Sequence, residues 1–464
     1  MKISGNMLAA RRCGMARSVI LGCLASAMLF ASAAAGAQRN RTSRADYKRP
    51  APRERATPAP PVQLTVVVRN REGRAVGSLR ESDFRLFDDG RYQRITDFAS
   101  SLVPEPVVDP KAPWTIRYTA LYFDDLHYTF TDTIRVTDSA YATFGPMVSH
   151  GNRFGVFTAS GEITLDFTGN HEKFHQALLA IHPHLPSPAT AKACPALTDY
   201  QAYLLLYVHD PLALKVALYD MEHCSSRDGA GDPVSARPSL FEMRRMKAVL
   251  DHQAGKVIEE DSARSNQTLA SLEKLIGKVS TLPDPRSIIV ASPGFLTGTL
   301  GRRVDELARL ATRRHIIVNT LDTTGFVHQI SFRGTPGQDG SAEAEGINDA
   351  KNEMLADRAG ATSDPLADLA TMTGGNFVAN VDDLDMGFKM AAPLPAAYYV
   401  LGYRPSGLRP NGRFHSVRVT LYRPRRMSVQ APAGYFAPGT PEEIAASSLR
   451  DRHSRHQARR VRRK

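Results

Sequence analysis

The residues best placed to do chemistry stand in Tyr122-Phe123-Asp124-Asp125-Leu126-His127, where two carboxylates and an imidazole follow an apolar run. Asp322 closes another such run, His315 to Leu321. Acids and a histidine gathered at strand ends are the materials of general acid–base hydrolysis. As a ligand set, the same mixture of oxygen and nitrogen suits Zn²⁺ or Ni²⁺ better than Mg²⁺. Common catalytic signatures are missing: the sequence has no Gly-x-x-x-x-Gly-Lys-Ser/Thr, no His-Glu-x-x-His and no Gly-x-Ser-x-Gly. Ile276-Gly277-Lys278-Val279-Ser280 is a fragment of a phosphate loop inside helical text, and Thr373-Gly374-Gly375 reads as a helix stop and turn. Glu259-Glu260-Asp261 reads as the solvated face of a helix.

Buried parallel strands and helices must position these residues. Tyr118 to Phe123, Phe154 to Thr158, Ser287 to Ala291 and His315 to Leu321 are short, nearly unbroken apolar runs, as in strands covered on both faces. Helical text separates them: up to Met147, Glu172 to Ile181, Tyr200 to His223, Leu240 to Leu282 and Val304 to Thr312. In the longest of these, Leu269, Leu272, Leu275 and Ile276 are spaced for one buried stripe. Alternation of this kind predicts an α/β fold with a doubly wound, mostly parallel sheet over residues 115–392. Ile163 to Phe167 reads as a hairpin partner of the second strand, and Asn376 to Ala379 as an edge strand. Ser225 to Pro238 and Ser331 to Ser363 are polar, Gly-rich and without period, which predicts loops.

Both flanks of this region alternate apolar and polar residues. Val62 to Val68, Phe84 to Phe87 and Ile95 to Phe98 form an N-terminal β-unit over 62–101. Tyr398 to Tyr403, Phe414 to Leu421 and Met427 to Gln430 form a C-terminal one over 396–438. Neither has enough strands to bury a face alone, so the two are expected to make one accessory β-sandwich.

Residues 1–37 combine Lys2, Arg11, Arg12 and Arg17 with an apolar run from Ser18 to Ala35 and a small-residue end, Ala35-Gly36-Ala37. That is the pattern of a secretory signal peptide; retention as a membrane anchor is the other reading. Residues 38–61 read as an extended Pro/Arg-rich linker and residues 447–464 as a basic tail. The formal net charge of +12 is concentrated in these ends, with +4 in residues 1–37, +5 in 38–55 and +7 in 447–464, which leaves −4 on residues 56–446. A nucleic-acid-binding surface on the folded part is therefore not implied, and the tails suit weak contact with an anionic envelope surface. Of four cysteines, Cys13 and Cys23 leave with the signal, so Cys194 and Cys224 are expected to pair as a disulfide in an oxidising compartment.

The wording of the chain resembles the von Willebrand factor type A-related family first recognised in acidobacteria. The resemblance lies in Tyr122 to His127, Gly151-Asn152-Arg153-Phe154-Gly155-Val156-Phe157-Thr158, Leu165-Asp166-Phe167-Thr168, Cys194-Pro195 with Tyr200-Gln201-Ala202, Ser292-Pro293-Gly294-Phe295-Leu296 and Leu321-Asp322-Thr323-Thr324-Gly325. It continues through Thr373-Gly374-Gly375 and Tyr398-Tyr399-Val400-Leu401-Gly402-Tyr403 to Gly434-Tyr435, in consistent order from Val62 to Pro438. It implies a six-stranded Rossmann-like core with helices on both faces. It also implies a metal-ion-dependent adhesion site at one sheet edge: an Asp and two Ser in D-x-S-x-S, a Thr from a second loop and an Asp from a third, around Mg²⁺. Here the serine positions hold Leu126 and Tyr128 if Asp124 comes first, or His127 and Thr129 if Asp125 does. Ser292 stands for the third-loop Asp, and Thr198 could serve as the second-loop Thr. The site expected is thus a degenerate one of Asp124, Asp125, His127, Thr198 and Asp322. No cofactor is expected, or at most a weakly held divalent cation, and Asp124 and Asp125 are expected to hydrogen-bond the backbone of their own loop.

The function this implies is an exported binding module for a protein partner, periplasmic, cell-surface or secreted, and not an enzyme. A structural envelope-associated protein attached through its basic tails is the first alternative. A hydrolase using Asp124, Asp125, Asp322 and His127 is the second.

Overall fold

The structure, a computed structural model, describes residues 61–71, 75–102, 116–149, 151–185, 193–225, 239–283, 286–296, 300–325, 342–391, 397–406, 408, 411–422 and 427–439. The expected signal segment, nearly all of the linker and the basic tail lie outside these residues. No helix among the described residues is long and apolar enough to cross a membrane.

Six strands form the central sheet: β5 (Arg117–Phe123), β6 (Asn152–Thr158), β7 (Thr164–Thr168), β8 (Arg286–Ser292), β9 (Ile317–Asp322) and β10 (Phe377–Val378). Their order is β10-β9-β8-β5-β6-β7, parallel throughout except for the β6–β7 hairpin. The four apolar runs thus lie side by side, as their two-sided burial predicts. Alternation along each strand divides the core. Ala120, Tyr122, Ile288 and Val290 face one cluster, and Leu121, Phe123, Ile289 and Ala291 face the other.

Helices cover both clusters. On one side pack α1 (Phe130–Phe144), α2 (His171–Leu179) and α8 (Leu384–Met390). On the other pack α5 (Leu240–Val279), α6 (Gly301–Arg313) and α7 (Ala342–Thr373). The 40-residue α5 opens with a capping box, in which the Ser239 hydroxyl accepts from Glu242 N and the Glu242 carboxylate accepts from Ser239 N at 2.7 Å. Its stripe of Leu269, Leu272, Leu275 and Ile276 is buried as spaced. Two further helices, α3 (Asp199–Tyr203) and α4 (Pro211–Ser225), are joined by a π-helical turn at Leu204–Val208.

One expectation is corrected. Residues 342–363 were expected in a loop, yet they form the first two-thirds of the 32-residue α7. The buried side here is made of small and polar residues, Ala344, Ala350 and Thr362 beside Ile347, so it carries no strong apolar period. What holds it is tertiary: Ile347 and Ala350 pack on Val216 of α4, Lys351 pairs with Asp220, and Arg358 grips Asp199 at 2.5 and 2.9 Å. Thr373 ends the helix, and Gly374 turns away at φ +80°.

The chain ends build two antiparallel sheets together. β1 (Val62–Arg69) lies between β11 (Ala397–Tyr403) and β13 (Ser428–Gln430), and β4 (Asp97–Leu102) flanks β11. In the second sheet β12 (Phe414–Leu421) lies between β2 (Phe84–Asp88) and β14 (Gly434–Phe436), with β3 (Arg91–Gln93) beyond β2. One buried cluster serves both sheets, with Leu64, Val66 and Val68 meeting Tyr399, Leu401, Tyr403, Val417 and Val419. Polar ties cross it as well. Tyr403 and Tyr435 each donate to Asp88 at 2.9 Å, and the Tyr399 hydroxyl donates to the Val76 carbonyl, 323 residues away in sequence, at 2.6 Å.

Candidate functional site

The strand order reverses between β5 and β8, because the chain passes from β5 outward to β6 on one side and returns to β8 on the other. In open α/β sheets the crevice beyond the strand ends at such a point is where ligands bind. Asp124 and Asp125 follow β5 at this point, Ser292 ends β8 and Asp322 ends β9.

Asp124 is fully buried, and side-chain donors surround its carboxylate. Oδ1 lies 2.8 Å from His127 Nδ1 and accepts from Thr268 Oγ1 at 3.0 Å, while Oδ2 accepts from Ser292 Oγ at 2.6 Å. Asp125 is equally enclosed; it accepts from Ser160 N at 2.9 Å and from Ser160 Oγ at 2.5 Å. The expectation that both acids bond the backbone of their own loop is therefore corrected: their carboxylates meet the His127 side chain within that loop and otherwise partners from β8, from α5 and from the loop after β6. The cause is enclosure, since a buried carboxylate needs donors from every packed neighbour.

Helix α5 supplies the cover. Asp261, Ser265 and Thr268 continue its buried stripe beyond the apolar part, so its face turns polar where it crosses the strand ends. Ser265 Oγ lies 3.4 Å from His127 Nε2, and the His127 ring stacks on Phe295 at 5.8 Å between centroids. Phe295 is held by its own N–H, which donates to the Thr362 carbonyl of α7 at 3.1 Å. The approach requires Gly294, at φ +79°, because a Cβ there would lie 2.2 Å from that carbonyl. Sequence reasoning placed Asp261 on a solvated face, but the structure buries it beside His127 and Arg264. The available signal was the i, i+4, i+7 spacing of Asp261, Ser265 and Thr268 in line with Leu272 and Leu275.

The other expected ligands are engaged elsewhere. Leu126 and Tyr128, in the serine positions, are core residues, and the Tyr128 hydroxyl donates to the Ala291 carbonyl at 2.7 Å. Thr129 caps α1 by accepting from Asp132 N, and Thr198 caps α3 by accepting from Gln201 N at 3.1 Å. Asp322 accepts from Thr324 N at 3.0 Å and from the Ser363 hydroxyl of α7. Its carboxylate serves its own loop and α7, although β8 and β9 pair Ser292 with Asp322. Of the five expected ligands, only Asp124 and His127 are joined directly. These residues do not fit Mg²⁺, which requires about six hard oxygens and keeps several waters.

Charge balance is internal instead. Burial works against protonation of His127, but Asp124, by charge and hydrogen bond, and then Asp261 carry its pKa above the ordinary histidine value. Burial first, then the charge of Asp199, pushes Asp261 up to about 6. Burial also raises Asp125. All three groups bind protons more tightly folded than unfolded. Their contribution to stability is complete below the unfolded values and is lost as pH rises through the folded ones. Urea unfolding is thus expected to give a stability lower at pH 8 than at pH 5, with Asp261 accounting for about 1–2 kcal/mol. Asp261→Asn should flatten that dependence, and an unaltered slope in this variant would refute the assignment.

Cys194 is disulfide-bonded, and its sulfur lies 4.0 Å from the carbonyl of Met221, three residues before Cys224 on α4. The Cys224 side chain is outside the described part of the structure.

No protein-family model matches the chain, and no curated protein matches it. Among solved structures, the human COPII-coat protein Sec24c aligns at 7% identity over 75% of this chain and 48% of its own, with a TM-score of 0.23, a likeness too slight to support inference.

Proposed function

We propose that the chain is an exported binding module of the von Willebrand factor A-like kind, which engages a protein partner without a metal ion at its strand-end aspartates. The observation that carries this reading is the Asp124 carboxylate, whose two oxygens meet His127, Thr268 and Ser292 within 3.0 Å. A protonatable imidazole and two hydroxyls take the place that a cation and its bridging waters would hold. The strand order, with a switch point at β5 and β8 and one antiparallel hairpin at the edge, supports the von Willebrand factor A-like part of the reading. Burial of Asp124 and Asp125 argues against the hydrolase alternative, because neither acid is presented to a substrate. The pattern of residues 1–37 supports export. Calorimetric titration of the mature protein with Mg²⁺ and Ca²⁺ is expected to show no stoichiometric binding. Recovery of the partner from an envelope extract should be unchanged when both ions are replaced by Na⁺. Micromolar Mg²⁺ binding that is abolished by a conservative Asp124→Asn substitution would overturn the proposal and restore a metal-dependent adhesion mechanism.

A further inference from the structure

We propose that Glu162, His182 and His184 form a binding site for a transition-metal dication of the zinc class, separate from Asp124 and on the far side of Asp125. Glu162 sits in the turn between β6 and β7, and the two histidines follow α2 in Ile181-His182-Pro183-His184. The imidazoles converge through the same nitrogen on opposite oxygens of one carboxylate: His182 Nε2 is 3.0 Å from Glu162 Oε2, and His184 Nε2 is 3.0 Å from Oε1. One donor atom from each residue lies within 4.8 Å of the other two, close enough for small side-chain movements to bring all three to about 2.0–2.2 Å from one ion.

The opposite ring nitrogens decide what these atoms can do. His182 Nδ1 is 3.2 Å from the Ala180 carbonyl, and His184 Nδ1 is 3.5 Å from Asp125 Oδ2. The Ala180 carbonyl calls for the proton on Nδ1 of His182, and the charge of Asp125, near His184 Nδ1 without hydrogen-bonding it, favours the same tautomer there, which leaves the Nε2 lone pairs facing Glu162. Metal-ligating histidines are held in this way, by a carbonyl or a carboxylate behind the ring. Asp125 is a firm anchor, fixed by Ser160, and its main-chain carbonyl accepts the backbone N–H of His184 at 2.9 Å. Two imidazoliums on one carboxylate would repel each other, with ring centroids 5.3 Å apart, and a neutral His182 with its proton on Nε2 would turn the Nδ1 lone pair on the Ala180 carbonyl. A single shared dication satisfies the same three groups without that repulsion. Two nitrogens and one carboxylate favour Zn²⁺, Ni²⁺ or Co²⁺ over Mg²⁺ or Ca²⁺. With side-chain exposures of 59%, 51% and 31% for His182, Glu162 and His184, a fourth position remains open to water or to a partner's donor.

None of the three proposed ligands bonds Asp124, and Asp125 only backs His184, so metal binding here stands or falls independently of the metal-free reading at Asp124. The test is a Co²⁺ titration of the mature protein followed by visible absorption, with Zn²⁺ competition measured by calorimetry. One equivalent is expected to bind, with the d–d bands of four- or five-coordinate Co²⁺. His182→Ala and Glu162→Gln, at half-exposed side chains that leave the fold intact, should each weaken binding at least tenfold, and the His182→Ala/His184→Ala double variant should abolish it. His252→Ala, on the exposed side of α5, should change nothing. Absence of saturable micromolar binding, or an equivalent that persists in the double variant, would overturn the proposal.

Discussion

Asp124→Ala is expected to destabilise the protein by about 3–5 kcal/mol, because it removes one partner of a buried, hydrogen-bonded charge pair. The substitution strands three donors at once: the His127 ring, whose side chain is 7% exposed, and the hydroxyls of Thr268 and Ser292. Water has no ready route to them, since α5 and Phe295 close over the strand ends. Each orphaned group then bears its own desolvation cost. Asp124→Asn should cost less, because its amide oxygen can still accept from His127 and Thr268 while its amino group faces Ser292. Adding His127→Gln to Asp124→Asn should cost less than the sum of the two single changes, since the residues are in direct contact. Denaturant unfolding measures these differences as shifts in midpoint. If Asp124→Ala kept wild-type stability while losing its partner, the aspartate would be a ligand and not a structural pivot.

The second large effect concerns the chain ends. Removing residues 61–102 is expected to unfold β11 and β12 while the six-stranded sheet persists. β11 would lose both neighbours, β1 and β4, and β12 would lose β2. Tyr399, Leu401, Tyr403, Val417 and Val419 would face water, at about 1.5–3 kcal/mol for each large side chain. Hydrogen exchange over residues 397–403 and 414–421 should become fast in the truncated protein. Supplying residues 61–102 as a separate peptide should restore part of the protection. Unchanged protection without the N-terminal strands would show that the C-terminal strands fold alone.

Much of this arrangement was legible in the sequence, for reasons visible at particular residues. Apolar runs such as Tyr118 to Phe123 give themselves away because a strand buried on both faces has no polar side to show. The alternation of Val62 to Val68 and Phe414 to Leu421 likewise reveals one covered face. Asp124 was identifiable as a strand-end acid, with His127 beside it and Ser292 brought to the same site by the resemblance, but Thr268 was not, because it lies 144 residues away on a helix with no motif to mark it. Asp261 was misplaced because a charge next to Glu259 and Glu260 looks solvated until the helix is rotated to follow Leu272 and Leu275. Residues 342–363 looked like a loop because their helix is held by ion pairs and small residues from elsewhere in the fold. Glu162, His182 and His184 carry no such signal: nothing in a turn and a His-Pro-His segment twenty residues later announces that β7 and α2 will return the chain to the turn.

The hydroxyl of Tyr399 on the carbonyl of Val76 also sets an order of assembly. Synthesis delivers β1 and β2 first and their partners β11 and β12 last, so β1 must wait for its neighbours, and β2 with only β3 beside it, through the making of the whole central sheet. Loop closure over such a distance costs little more than over half of it, but contacts this remote form slowly. In the interval Leu64, Val66 and Val68 would expose an apolar edge of the kind that joins with strangers. The nascent chain therefore carries a period of vulnerability that ends only when its last strands arrive, and whatever shields β1 during that wait governs the yield of folded protein.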